Sequence, residues 1–186
     1  MIVVLALSAN IANAQCNTGL YTTACAWGDH IEAFATSGGT TNISNWYTGC
    51  ATSSGYIYYS TQTHTIASGG TVNFAILNNY YYNEYYKIWV DFNADGDFYD
   101  TGEQVYSANL SYGAFVTNSF VVPSGTTAGT KRMRVRCVYF GNSSMDPCTT
   151  YSFGEVEDYN LVVTGGSPCS GTPAPGNTLT TLNPVC

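Results

Sequence analysis

Five of the chain's twelve carboxylates fall within thirteen residues, at Asp91, Asp95, Asp97, Asp100 and Glu103. Asp91, Asn93 and Asp95 occupy the first, third and fifth positions of a DxNxDG run. Oxygens at that spacing converge on one hard cation, while Gly96 permits the sharp turn that brings them together. The implied chemistry is calcium binding, with Asp97 offering its main-chain carbonyl and Asp100 or Glu103 closing the shell. The loop is not a regular EF-hand, because its twelfth position is Gly102 and Glu103 comes one place later. DG and NxD sequences also make solvated turns. Five close carboxylates without a cation, however, repel one another. Every candidate ligand comes from one loop with no evident open position, which points to structural rather than catalytic calcium.

The segments flanking this loop are strand-like, rich in β-branched and aromatic residues from Lys87 to Val90 and from Gln104 to Tyr106. Along the rest of the chain, short apolar runs alternate with Gly, Ser, Thr and Asn. Strands are expected at Tyr56 to Ile66, Thr71 to Leu77, Tyr86 to Phe92, Gln104 to Leu110, Phe115 to Val122, Lys131 to Tyr139 and Val156 to Val163. Their spacing predicts an all-β fold, an antiparallel β-sandwich of the jelly-roll or Ig-like kind with the calcium loop between two strands.

Four of the five basic residues are Lys131, Arg132, Arg134 and Arg136, and on a strand the three arginines share one face. The second acidic cluster, Glu155, Glu157 and Asp158, is expected beside them as a cross-strand ladder of structural ion pairs. Tyrosines are concentrated locally, and most fit a role capping the core with their hydroxyls outward. Tyr80, Tyr81 and Tyr82 differ, since neighbouring phenols in a loop have little core to fill and can stack on sugars or anchor a protein.

Seven cysteines without any CxxC pair favour disulfides in an oxidising compartment over a zinc site. Cys137 with Cys148 across a short polar loop is the first expected bridge, and Cys50 with Cys25 or Cys16 the second. The odd count suggests a partner beyond Cys186. Residues 1–14 end in an AxA-like site and read as a secretory signal peptide, truncated at its basic end, and too short for a membrane span. Residues 15–164 then form the domain, and 165–186, with four of the six prolines, form a linker and the start of a truncated downstream domain. A net charge of -7 argues against nucleic acid.

Gly154, Glu155, Val156, Glu157, Asp158 and Tyr159, together with the Trp89 to Phe98 run and the Arg132 to Val135 strand, resemble the GEVED domain over roughly residues 20 to 164. The tail from Pro168 resembles the start of an Ig-like domain. The resemblance implies a β-sandwich accessory domain of exported multidomain proteins frequent in Bacteroidota, found alongside metalloproteases, adhesins or carbohydrate-active modules. No catalytic residue carries over from it.

Enzyme readings find little support. The chain has no HExxH and no GxSxG, and a Cys/His pair needs a free thiol where thiols oxidise. A glycosidase pair at Glu155 and Glu157 is disfavoured, because nearby arginines depress the carboxyl pKa that such an acid must keep high. The expected function is therefore a non-catalytic, calcium-stabilised extracellular module of a larger secreted or cell-surface protein, adhesive or spacing in role. The alternative is a carbohydrate- or protein-binding module working through the tyrosine loop. Its expected partners are calcium, neighbouring domains and an extracellular glycan or protein.

Overall fold

The computed structural model describes residues 15–50, 52–139 and 144–165. The expected signal peptide, the downstream segment after Gly165, Cys169 and Cys186 lie outside these residues. Ten strands and no helix make up the described chain: β1 (Tyr21–Ala24), β2 (Ile31–Ser37), β3 (Ser44–Trp46), β4 (Tyr56–Ala67), β5 (Thr71–Asn78), β6 (Glu84–Val90), β7 (Gln104–Leu110), β8 (Phe115–Val121), β9 (Gly129–Tyr139) and β10 (Tyr151–Thr164). They form two sheets. The larger runs β1-β10-β9-β6-β7 with β4 also paired to β10, and the smaller runs β3-β2-β5-β8.

Seven strands match the sequence expectation closely, but β1, β2 and β3 do not announce themselves. β2 reads IEAFATS, poor in β-branched residues, and the other two are only four and three residues long. The purely antiparallel expectation also needs correction. β10 is paired in parallel with β1 along its first part and with β4 along its second, from Val156↔Tyr56 to Thr164↔Ala67. Its fourteen residues are long enough to hold both in succession on one edge, with antiparallel β9 on the other.

Alternation along the strands divides the buried side chains into two clusters. Between the sheets, Phe34, Phe74 and Ile76 of the smaller sheet meet Ile88, Val135, Tyr159 and Leu161 of the larger. On the outer face of the larger sheet, Trp89, Val138 and Val156 lie beneath Leu20, Tyr21, Phe98 and Met145. The larger sheet is thus covered on both faces near β9 and β10. That double cover takes Arg134 and Arg136 out of water.

Candidate functional site

The acidic loop closes at its base, where Val90 N donates to Glu103 O at 2.9 Å, and Asp91 N donates to Arg132 O at 3.0 Å. Inside, short side chains fold the backbone by accepting amide bonds two residues on. Asp95 N reaches Asn93 Oδ1 at 3.0 Å, Asp97 N reaches Asp95 Oδ1 at 3.2 Å and Tyr99 N reaches Asp97 Oδ1 at 2.9 Å. Gly96 has a φ of 96°, the left-handed turn expected of it. Asp95, Asp97 and Asp100 each place an oxygen within 4.8 Å of the others. Three acceptor-only carboxylates at that separation suit a hard cation such as calcium.

The other proposed ligands are used differently. Asn93 uses its amide to bridge Asp95 and Asp100. Glu103 is buried and braces the loop from within, accepting Phe92 N at 3.0 Å and Asp100 N at 3.2 Å. Burial pushes its carboxyl up to about 7, with Asp91 and Asp100 adding to the rise and the two amide bonds opposing it. Asp91 is also buried; its Oδ2 accepts Gly96 N and the Gln15 side chain, while its Oδ1 has no hydrogen-bond partner among the described residues. Sequence spacing cannot separate the convergent oxygens from the bracing ones, because side-chain direction in an irregular loop follows no period.

On the outer face, Arg134 and Asp158 are opposed across β9 and β10 and fully buried. Arg134 grips Asp158 in a fork, with Nε donating to Oδ1 at 2.8 Å and Nη2 to Oδ2 at 2.9 Å. Arg132 adds a longer contact at 3.3 Å and lies over the Tyr58 ring. Arg136 instead donates to main-chain carbonyls of Leu20, Asp146 and Thr149 and to the Tyr21 hydroxyl. The arginine row is structural. It ties down the covering segments.

The expected ladder fails for two of its three acids. Glu155 and Glu157 oppose Cys137 and Val135, so they point between the sheets, away from the arginines. There Glu155 accepts Ile31 N at 3.0 Å, and Glu157 accepts from Thr48 and Tyr159. Burial raises the Glu157 carboxyl well above the usual range, helped by the charge of Glu155. The arginines therefore do not depress Glu157, and what opposes a glycosidase role is the complete burial of both glutamates. Strict alternation along GEVEDY already places Asp158 opposite the two glutamates, and that was the available signal. The motif's glycine has its own cause. Gly154 has a φ of 138°, and a Cβ there would sit 2.1 Å from the Cys137 carbonyl oxygen.

The disulfides are Cys16–Cys148 and Cys25–Cys50. The expected Cys137–Cys148 bridge is not formed. Cys137 points into the core from β9 as a buried free thiol, whereas Cys148 lies under the N-terminal segment on the opposite face. Cys25–Cys50 anchors the turn that presents Trp27, where Gly28 N donates to Cys25 O.

That turn meets the tyrosine loop at one end of the sandwich. Asn79 Oδ1 accepts both Tyr81 N and Tyr82 N at 2.8 Å, and Asn78 Nδ2 donates to Tyr82 O and Leu110 O. Both asparagines are fully buried, so the loop is held rigidly from beneath. Tyr81 lies over Gly28, where a Cβ would come within 2.7 Å of its ring. A cleft of about 400 Å³ is lined by Tyr81, Tyr82, Asn83, Asn109, Tyr112 and Tyr139. A second, of about 140 Å³, has Trp27, Asp29 and Phe153 in its walls and shares Tyr82 and Tyr139 with the first. Tyr80 lines neither; it packs against Gly113. Beneath lies buried Glu84, which accepts from Asn79 Nδ2 at 3.4 Å and whose carboxyl is pushed up to about 9 by burial and then by the charge of Asp29. Sequence reasoning missed Trp27, Asp29, Tyr139 and Phe153, which lie far from the loop along the chain.

The acidic loop, the arginine strand and GEVEDY fall within a single match, since the family model of the GEVED domain aligns with residues 85–162. Residues 85–162 of the chain match the GEVED domain. The matched part of this domain runs from β6 into β10 and supplies four strands of the larger sheet and one of the smaller. GEVED is an extracellular-type accessory domain, and two disulfides fit a secreted protein. Among the described residues no helix is long and apolar enough to cross a membrane. No curated protein matches the chain. Among solved structures, the chain is similar to a family 123 glycoside hydrolase from Clostridium perfringens described for glycolipid glycan hydrolysis. That alignment has 9% identity and a TM-score of 0.33, over 61% of this chain and 23% of the enzyme, too remote to bear on activity.

Proposed function

We propose that this chain is a non-catalytic accessory module of a larger secreted or cell-surface protein, stabilised by calcium at the β6–β7 loop. The observation that carries the reading is the convergence of Asp95, Asp97 and Asp100 within 4.8 Å, in the same loop as the buried, half-satisfied Asp91. A cation there offsets the repulsion among the carboxylates and stabilises the folded loop over the unfolded chain. The other clustered charges are used inside the fold, the arginines on the covering segments and Asp158, the glutamates between the sheets. Such a module spaces or displays neighbouring domains, and its tyrosine-lined end supplies a face for an extracellular partner, consistent with an adhesive role. Isothermal titration of the EDTA-stripped protein with calcium tests the reading. Absence of binding heat, with no metal found by elemental analysis of the purified protein, would remove calcium from it.

A further inference from the structure

We propose that the paired clefts at the tyrosine end form a glycan site that takes a neutral oligosaccharide. This names a ligand class for the accessory-module reading and rests on that reading, though not on its calcium. The larger cleft, at about 400 Å³, falls in the range of small-molecule sites, roughly 300–1,000 Å³. Its walls are aromatic faces of the kind on which the C–H faces of sugar rings stack, and Tyr82 and Tyr139, with ring centroids 5.0 Å apart, divide it from the second cleft. A chain of sugars can therefore pass from one cleft to the next over a shared aromatic ridge. Trp27 and Tyr81, each 68% exposed, flank that path.

Charge narrows the ligand. Among the described residues no Lys or Arg lines either cleft, and the chain carries a net charge of -7, so an anionic ligand meets no counter-charge. The polar groups present are the amides of Asn83 and Asn109, phenol hydroxyls and the Asp29 carboxyl, which suit a ligand dense in hydroxyls that both donate and accept. A proline-rich peptide, the other common guest of aromatic grooves, offers few donors to such acceptors. The buried asparagines already hold the loop in shape, so little ordering is left to oppose binding.

The test is native affinity electrophoresis of the full chain, at constant calcium, through gels containing soluble β-glucan, xylan or mannan. Alginate serves as the anionic comparison, and a fluorescent polyproline peptide is followed in parallel by polarisation. Retardation by at least one neutral polysaccharide and not by alginate is expected. Tyr81→Ala and Tyr112→Ala should each weaken it about tenfold, as loss of an anchoring ring does. Both rings are largely exposed, so the melting temperature should hold, and a matching melt confirms that the variants fold. No retardation by any neutral polysaccharide, retardation of Tyr81→Ala and Tyr112→Ala equal to the parent's, or binding of alginate or the peptide alone would overturn the proposal. Its failure would leave the calcium titration standing, and failure of that titration would leave this result standing.

Discussion

Arg134 and Asp158 face each other across β9 and β10 as a two-pronged ion pair, both fully buried beneath the N-terminal segment. Burying two charges is costly, and the pair is held only because its geometry is good and Arg134 also donates to the Pro147 and Cys16 carbonyls. Asp158→Asn leaves a buried guanidinium uncompensated. It should cost about 3–5 kcal/mol of unfolding free energy in chemical denaturation. A loss under 1 kcal/mol would show that water reaches the pair.

Calcium should raise the melting temperature and EDTA should lower it. At a hundredfold excess over Kd the gain is about 2.7 kcal/mol. Asp95→Asn combined with Asp97→Asn should abolish the response, while Glu103→Gln, which leaves the three convergent carboxylates in place, should keep some of it. Equal responses from both variants would contradict the division of the loop into convergent and bracing acids.

Gly154→Ala should destabilise the protein by more than about 1 kcal/mol, since the added carbon meets the Cys137 carbonyl and the backbone sits at positive φ. Thermal melting beside Gly165→Ala, where no atom lies within 4 Å of the added carbon, separates this strain from a general glycine effect.

The raised carboxyl of Glu84, beside Asp29, predicts a stability loss toward alkaline pH. Glu84 is raised from 4.5 to about 9, by burial first. A raised folded value means that stability is fully present below pH 4.5 and is lost as pH climbs toward 9, because only the unfolded chain gives up the proton freely. The slope approaches about 1.4 kcal/mol per pH unit for one group. Urea midpoints measured from pH 5 to 9 should fall in the parent and fall less steeply in Glu84→Gln. Parallel slopes would show that Glu84 is not the group responsible.

Reduction should matter most at Cys16–Cys148, whose cysteines are 132 residues apart. In the chain-entropy account a loop of that size contributes about 4–5 kcal/mol. Replacing both cysteines by serine should lower the denaturation midpoint more than the same change at Cys25 and Cys50, which are 25 residues apart. The reverse order would place the gain in local packing.

Composition and local pattern by themselves determined the all-β class, seven of the strands, the acidic loop between β6 and β7, and the common face of the three arginines. Those features follow from short-range rules: alternation with period two, turn residues, and the spacing of oxygens along a loop. Tertiary structure decided the partners. The register of β9 against β10 sent Asp158 to the arginines and Glu155 and Glu157 into the core. The covering N-terminal segment brought Cys16, rather than Cys137, to Cys148. The meeting of the Trp27 turn with Tyr82 and Tyr139 required three distant segments to converge at one end of the sandwich. Such contacts depend on register and on how sheets stack. A linear pattern carries no trace of either until the chain has closed on itself.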